Sequence, residues 1–97
     1  MRKFDFHYDA GHGWLKVHIY DACDVGLVPE DFTSYSYKRG EHLFLEEDID
    51  AGRFIAAWER SRGRWDVRNI DDGYNSAIRS YERITPTRQF DDNDILF

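Results

Sequence analysis

Four carboxylates, Glu46, Glu47, Asp48 and Asp50, fall within five positions directly after the apolar run Leu43-Phe44-Leu45. Acids at this density could hold a hard cation, cap a helix or dock on a basic partner. A 12-residue calcium loop needs ligand side chains at its first, third and fifth positions, glycine at the sixth and glutamate at the twelfth. Started at Asp48, such a loop meets Gly52 at the fifth position and Arg53 at the sixth; started at Glu46, it meets Ala51 at the sixth and Ala57 at the twelfth. Both registers fail. Asp48 or Asp50 then serves as the N-cap of a following helix and answers its positive end. Glu46 and Glu47 exceed what a cap needs, which makes the cluster a candidate docking surface.

Other chemistry finds little support. His7, His12, His18 and His42 show no metal-binding spacing, and an alternating strand places His7 and His18 on one outer face with Asp5 as a charge partner for His18. The single Cys23 excludes an internal disulfide and a Cys-based zinc cage, and its neighbours Asp21 and Asp24 raise a thiol pKa instead of lowering it. No G-x-S-x-G and no glycine-rich phosphate loop occurs. The expectation is a protein that is not an enzyme, with no catalytic residue, no metal and no cofactor.

Composition narrows the partners. The 97 residues carry a net charge of −6, with sixteen aromatics and 41% hydrophobic residues, enough for one modest core. Residues 1–50 hold eleven acids against five bases, and residues 51–88 hold five against eight. An acidic chain disfavours direct nucleic-acid binding. The exception is a run of arginines around the end of the expected helix, Arg53, Arg60, Arg62, Arg64 and Arg68, of which the last four form the alternative nucleic-acid surface. The absence of an apolar leader core and of any membrane-length stretch predicts a cytoplasmic protein with no membrane partner.

The elements that must position these residues are read from periodicity. Phe4, Phe6 and Tyr8 alternate with polar residues, as do Leu15, Val17 and Ile19. A hairpin pairing Tyr8 with Leu15 leaves Gly11-His12 as a two-residue type II′ loop. Asp21 caps a short helical turn that stops at Gly26. A second hairpin turns at Lys38-Arg39-Gly40, with Tyr35 and Tyr37 facing either side. Ala51, Phe54, Ile55 and Trp58 form a helical stripe over about 50–62, with Gly63 as its stop. Residues 64–70 and 76–84 read as two more strands. The fold class is α+β, an antiparallel sheet of about five to six strands built from hairpins with one main helix on one face. One domain spans 1–86, and 87–97 is an acidic tail read as flexible. Trp14, Tyr20, Tyr35, Tyr37 and Phe44 fall on the sheet face away from the helix; most of them are expected to pack in the core or at sheet edges, and the remainder form a candidate aromatic patch for a partner or a second copy.

"YDAGHGWLKV" followed by "SYSYKRGEHLFLEEDIDAGRFI" resembles a family of small proteins, without an established activity, carried by bacteriophages, plasmids and related mobile elements. The likeness covers roughly residues 6–56 and lies in a GHGWL hairpin, an SYSY-x-RG turn and an LEED-x-DAG-x-F segment. It implies no catalytic residue. It implies a mobile-element protein that binds a host protein or ribonucleoprotein complex, such as an inhibitor of a defence system of the anti-CRISPR kind. Glu46, Glu47, Asp48 and Asp50 would meet a basic groove with Tyr35 and Tyr37 as aromatic anchors, and a homodimer is compatible with this reading.

Overall fold

Alternation in the first eighteen residues builds the centre of a sheet. In the computed structural model, which describes residues 1–86, strand β1 (Arg2–Tyr8) pairs antiparallel with β2 (Gly13–His18). Phe6 lies opposite Leu15 and Tyr8 opposite Gly13, two residues away from the register expected above. A slip of two keeps every side chain on its face, so the apolar pattern is satisfied by either register. Asp9 decides between them. Its Oδ1 accepts the Gly11 and His12 N–H groups at 2.9 and 3.0 Å, and its own N–H donates to the His12 carbonyl at 2.9 Å. The tip is therefore Ala10-Gly11, and Gly11 does not take the positive φ of a type II′ turn. Gly13 serves close approach instead, since a Cβ there would lie 2.3 Å from the Phe6 ring.

After β2 the chain folds into α1 (Ile19–Asp24), whose cap is His18 and not Asp21. His18 Nδ1 accepts the Tyr20 N–H at 3.0 Å while Asp21 accepts the His18 N–H at 3.1 Å, a reciprocal capping box. Gly26, at φ 85°, ends the turn, and Pro29 opens a 3-10 turn over Pro29–Asp31. Strands β3 (Tyr37–Arg39) and β4 (His42–Glu46) form the second hairpin. Lys38 and Arg39 belong to the strand, so the turn is Gly40-Glu41, with Gly40 at φ 58°.

Helix α2 (Asp50–Ser61) buries Phe54 and Trp58 and half-buries Ala51 and Ile55, as its stripe predicts. Phe4 meets the Phe54 and Trp58 rings edge-on at 5.3 and 5.2 Å. Burying each such side chain contributes about 1.5–3 kcal/mol. The helix stops where Arg62 and Gly63 both donate to the Trp58 carbonyl, with Gly63 at φ 88°. Strand β5 (Trp65–Asp71) then pairs with β1 in parallel, Phe4 opposite Val67. The sheet is thus mostly but not wholly antiparallel, because α2 acts as a crossover between β4 and β5, which run the same way.

The stretch 76–84 is not one strand. Ser76 Oγ accepts the Ile78 N–H at 3.2 Å and starts a 3-10 turn over Ala77–Ser80, leaving a two-residue β6 (Glu82–Arg83) beside β3. The sheet order is β5-β1-β2-β4-β3-β6. The turn drives Ile78 against Trp14, Tyr37 and Phe44, with Tyr81 alongside, and so makes a second small core on the face away from α2. Of the five aromatics expected on this face, Trp14, Tyr37 and Phe44 are buried there, in line with the expectation that most of them pack, while Tyr20 and Tyr35 are exposed. Residues 87–97, read as a tail, lie outside the described residues. Among the described residues no helix is long and apolar enough to cross a membrane.

Gly13→Ala should destabilise the protein by about 1–3 kcal/mol through overpacking against Phe6. Gly52→Ala, where an added Cβ meets nothing within 4 Å, should stabilise α2 by about 0.5–1 kcal/mol. Urea titration of both variants checks the pair of signs.

Candidate partner-binding groove

Where β2 begins and β4 ends, the chain leaves a groove of about 390 Å³. It is lined by Trp14 and Tyr37, by Glu46–Ile49 and Tyr35 on the side of the β4–α2 junction, where Arg83 donates to the Ser34 carbonyl at 2.7 Å, and by His12 and Arg79 on the side that Asp9 holds. Five of the six residues expected to meet a partner therefore line one surface. Their roles are not equal.

Glu46 is spent on the fold. Its carboxylate accepts the N–H groups of Asp48, Ile49 and Asp50 at 2.8, 2.6 and 2.9 Å, so the last residue of β4 caps α2 from below. Asp48 and Asp50 do not cap, contrary to expectation; the N-cap position is Ile49, which has no side-chain bond to give. Asp50 has 0% exposure. It accepts the Thr33 N–H at 3.0 Å, the Thr33 hydroxyl at 2.8 Å and the Ser36 hydroxyl. Ser36 Oγ in turn accepts the Glu46 N–H at 3.0 Å. The 33–36 loop is thereby tied to the start of α2, and Asp50 cannot face a partner.

The same loop sets the two tyrosines apart. Tyr37 is buried, edge-on to Trp14 at 6.2 Å with the Arg83 guanidinium 4.9 Å above its ring, so it is core and not an anchor. Tyr35 is 63% exposed, and Ile49, which the residue pattern did not single out, is 46% exposed. Between them in the groove wall stand Glu47 and Asp48, whose carboxylates have no hydrogen bond or ion pair among the described residues. The exposed residues that line this part of the groove are Tyr35, Glu47, Asp48 and Ile49.

The opposite wall rests on Asp9. Its side chain is fully buried, takes Arg79 bidentately at 2.7 and 2.9 Å and accepts the Ser76 N–H at 2.8 Å besides its two loop amides. The Arg79 guanidinium beside it, followed by those backbone donors, holds the Asp9 carboxyl far below the usual carboxylate range. Arg79 also lies 5.4 Å over the Trp14 ring.

Two further constellations can be placed. Of Arg60, Arg62, Arg64 and Arg68, Arg62 and Arg68 are committed to carboxylates at different places. Arg68 reaches Asp5 bidentately at 3.0 and 3.1 Å on the face away from α2, while Arg62 pairs with Asp24 at 3.2 Å at the helix end. Asp5 consequently faces Lys16 in the register and not His18, whose Nε2 lies 3.0 Å from Glu41 instead. His7, Asp72 and Ser76 form a cluster, with His7 Nδ1 3.1 Å from Asp72 and Ser76 Oγ donating to Asp72 at 2.7 Å. A serine nucleophile needs the imidazole between hydroxyl and carboxylate, and here the carboxylate stands between. The cluster pins residues 72–76 to β1. Among the described residues no three metal-capable side chains gather.

The buried carboxylates set an acid limit. A carboxyl held low in the folded state contributes stability above its ordinary value of 3.8, and that contribution is lost as pH falls below it. Burial, then the charges of Lys16 and His18, lower His42 from 6.5, so stability also declines as pH falls through 6.5, where the unfolded chain takes that proton first. Thermal unfolding should show a shallow loss below pH 6.5 and a steep one below about 4. His42→Gln should remove the first step, and Asp9→Asn should flatten the second while lowering stability at neutral pH.

Compared with known proteins, the chain matches no family model, no curated protein and no solved structure, and the groove itself carries the functional reading.

Proposed function

We propose that this chain is a binding module, not an enzyme, and that it engages a macromolecular partner through the Tyr35–Ile49 wall of the groove. The observation that carries this reading is the division of labour in the acidic cluster. Glu46 and Asp50 are consumed by backbone and hydroxyl donors, whereas Glu47 and Asp48 stand free beside two exposed apolar side chains. Fold stability does not call for an unpaired pair of acids flanked by Tyr35 and Ile49. An interface does, since aromatic and aliphatic anchors supply contact area and a charged rim supplies orientation and encounter rate. The complementary partner is a protein with a basic groove.

The finer reading follows the likeness of residues 6–56 to mobile-element proteins. In it the chain acts in the cytoplasm and blocks a host nucleic-acid-handling or defence complex, presenting Glu47 and Asp48 where phosphates would otherwise lie. The acidic set is smaller than four residues, so inhibition would depend on shape and the apolar anchors as well as charge. The arginine-based alternative has less support, because Arg62 and Arg68 already hold carboxylates on different faces.

Affinity capture from nuclease-treated host lysate, comparing wild type with Glu47→Lys/Asp48→Lys and with Tyr35→Ser, tests this reading. Both variants alter exposed side chains and should unfold within about 0.5 kcal/mol of wild type. The expected result is a protein retained by wild type and lost with either variant. Retention of that protein by all three, or by neither wild type nor variants, would overturn it.

A further inference from the structure

The opposite end of the same sheet face is chemically different. A cleft of about 420 Å³ opens where β1 and β4 begin and β2 ends, lined by Arg2, Lys3, Lys16, His18, Tyr20 and His42 together with Phe4 and the carboxylates Asp5 and Asp21. In register, His18 faces His42 and His42 faces Arg39, so nitrogen-bearing side chains cross three strands. The acids within reach are already committed. Asp5 holds Arg68, Asp21 holds Arg2 at 2.6 Å and the His18 N–H, and Glu41 lies on His18 Nε2. Lys3 and Lys16 have no ion pair among the described residues, and both project to the face away from α2. Two uncompensated ammonium groups converging in a chain of net charge −6 are the mirror image of the free acids at the other end. Tyr20 adds a second kind of contact. Its ring lies 4.7 Å from that of His18 and is 68% exposed, which leaves a planar surface open beside the lysines.

We propose that this cleft binds a phosphate-bearing ligand with a planar ring, either a free nucleotide or the phosphorylated end of a nucleic-acid strand. Lys3 and Lys16 take the phosphate oxygens, His42 adds a donor on their inner side, and the ring stacks on Tyr20. Burial first, and then repulsion from Lys16 and His18, holds His42 low, and a phosphate between His42 and Lys16 would offset the repulsive part. The site shares no residue with the Tyr35–Ile49 wall, so either can fail without the other.

The test is an NMR titration of the full chain with adenosine 5′-monophosphate, adenosine and a 5′-phosphorylated dinucleotide. The expected result is saturable shifts at Lys16, Tyr20 and His42 with the monophosphate, and binding by adenosine at least about tenfold weaker. Lys3→Gln/Lys16→Gln, which removes two surface charges, should weaken the monophosphate about tenfold, and Tyr20→Ala should weaken it severalfold. The His42 titration midpoint should rise in the complex. Tighter binding by the dinucleotide assigns the site to a strand end, and equal affinity assigns it to a free nucleotide. Absence of shifts at these residues, or shifts unchanged by Lys3→Gln/Lys16→Gln, would overturn the proposal.

Discussion

A carboxylate taken out of water must have its lone pairs filled by donors, or the group does not stay charged and buried. Much of this structure follows from how two buried acids, Asp9 and Asp50, and the half-buried Glu46 beside them find those donors. Asp9 gathers two amides of its own loop, the Ser76 amide and both arms of Arg79, and so binds the first hairpin to residues nearly seventy positions later. Asp50 gathers Thr33 and Ser36 and fastens the loop that leads into β3 onto the start of α2. Glu46 fills the open N–H groups at that same helix start. The two walls of the groove are the surfaces these carboxylates leave behind. On one wall His12 and Arg79 are held by Asp9; on the other Tyr35, Glu47, Asp48 and Ile49 are held by Glu46 and Asp50.

The faces of the strands and the stripe of α2 were legible in the sequence, because period-2 and period-3.6 patterns report directly on burial. Register was not, since a slip of two residues leaves the pattern unchanged and the deciding group, Asp9, is a polar residue that the pattern ignores. The Ser76–Ile84 segment looked like a strand for a related reason. Its apolar residues have to reach over the sheet to Trp14 and Phe44, and a 3-10 turn started by Ser76 does that where an extended chain would not. The acidic cluster was legible as a place but not as a set of roles. Glu46 and Glu47 are adjacent and identical in type, and only their opposite directions from the end of β4 make one a cap and the other a free acid. Asp50 owes its burial to donors 14 and 17 positions upstream, which no local window contains. Ile49 escaped notice because an isolated apolar residue among acids carries no periodic signal.

The sheet face away from α2 then has three zones along its strands. Trp14, Tyr37 and Phe44 close the middle under Ile78 and Tyr81. Free acids with two apolar neighbours stand at one end and free lysines with an open tyrosine at the other. The middle lies between the two sets along the strands, and one end is proposed to meet a basic protein surface and the other a phosphate.

The claim that organises this account is that adjacent acids in one five-residue stretch do opposite work. Urea unfolding of two isosteric variants, Glu46→Gln/Asp50→Asn and Glu47→Gln/Asp48→Asn, tests it most directly. The first should lose about 3 kcal/mol or more, as the hydrogen bonds that Glu46 and Asp50 accept weaken, and the second should stay within about 0.5 kcal/mol of wild type. Equal losses in the two variants, or a larger loss in the second, would contradict the assignment of Glu47 and Asp48 to the surface that meets a partner.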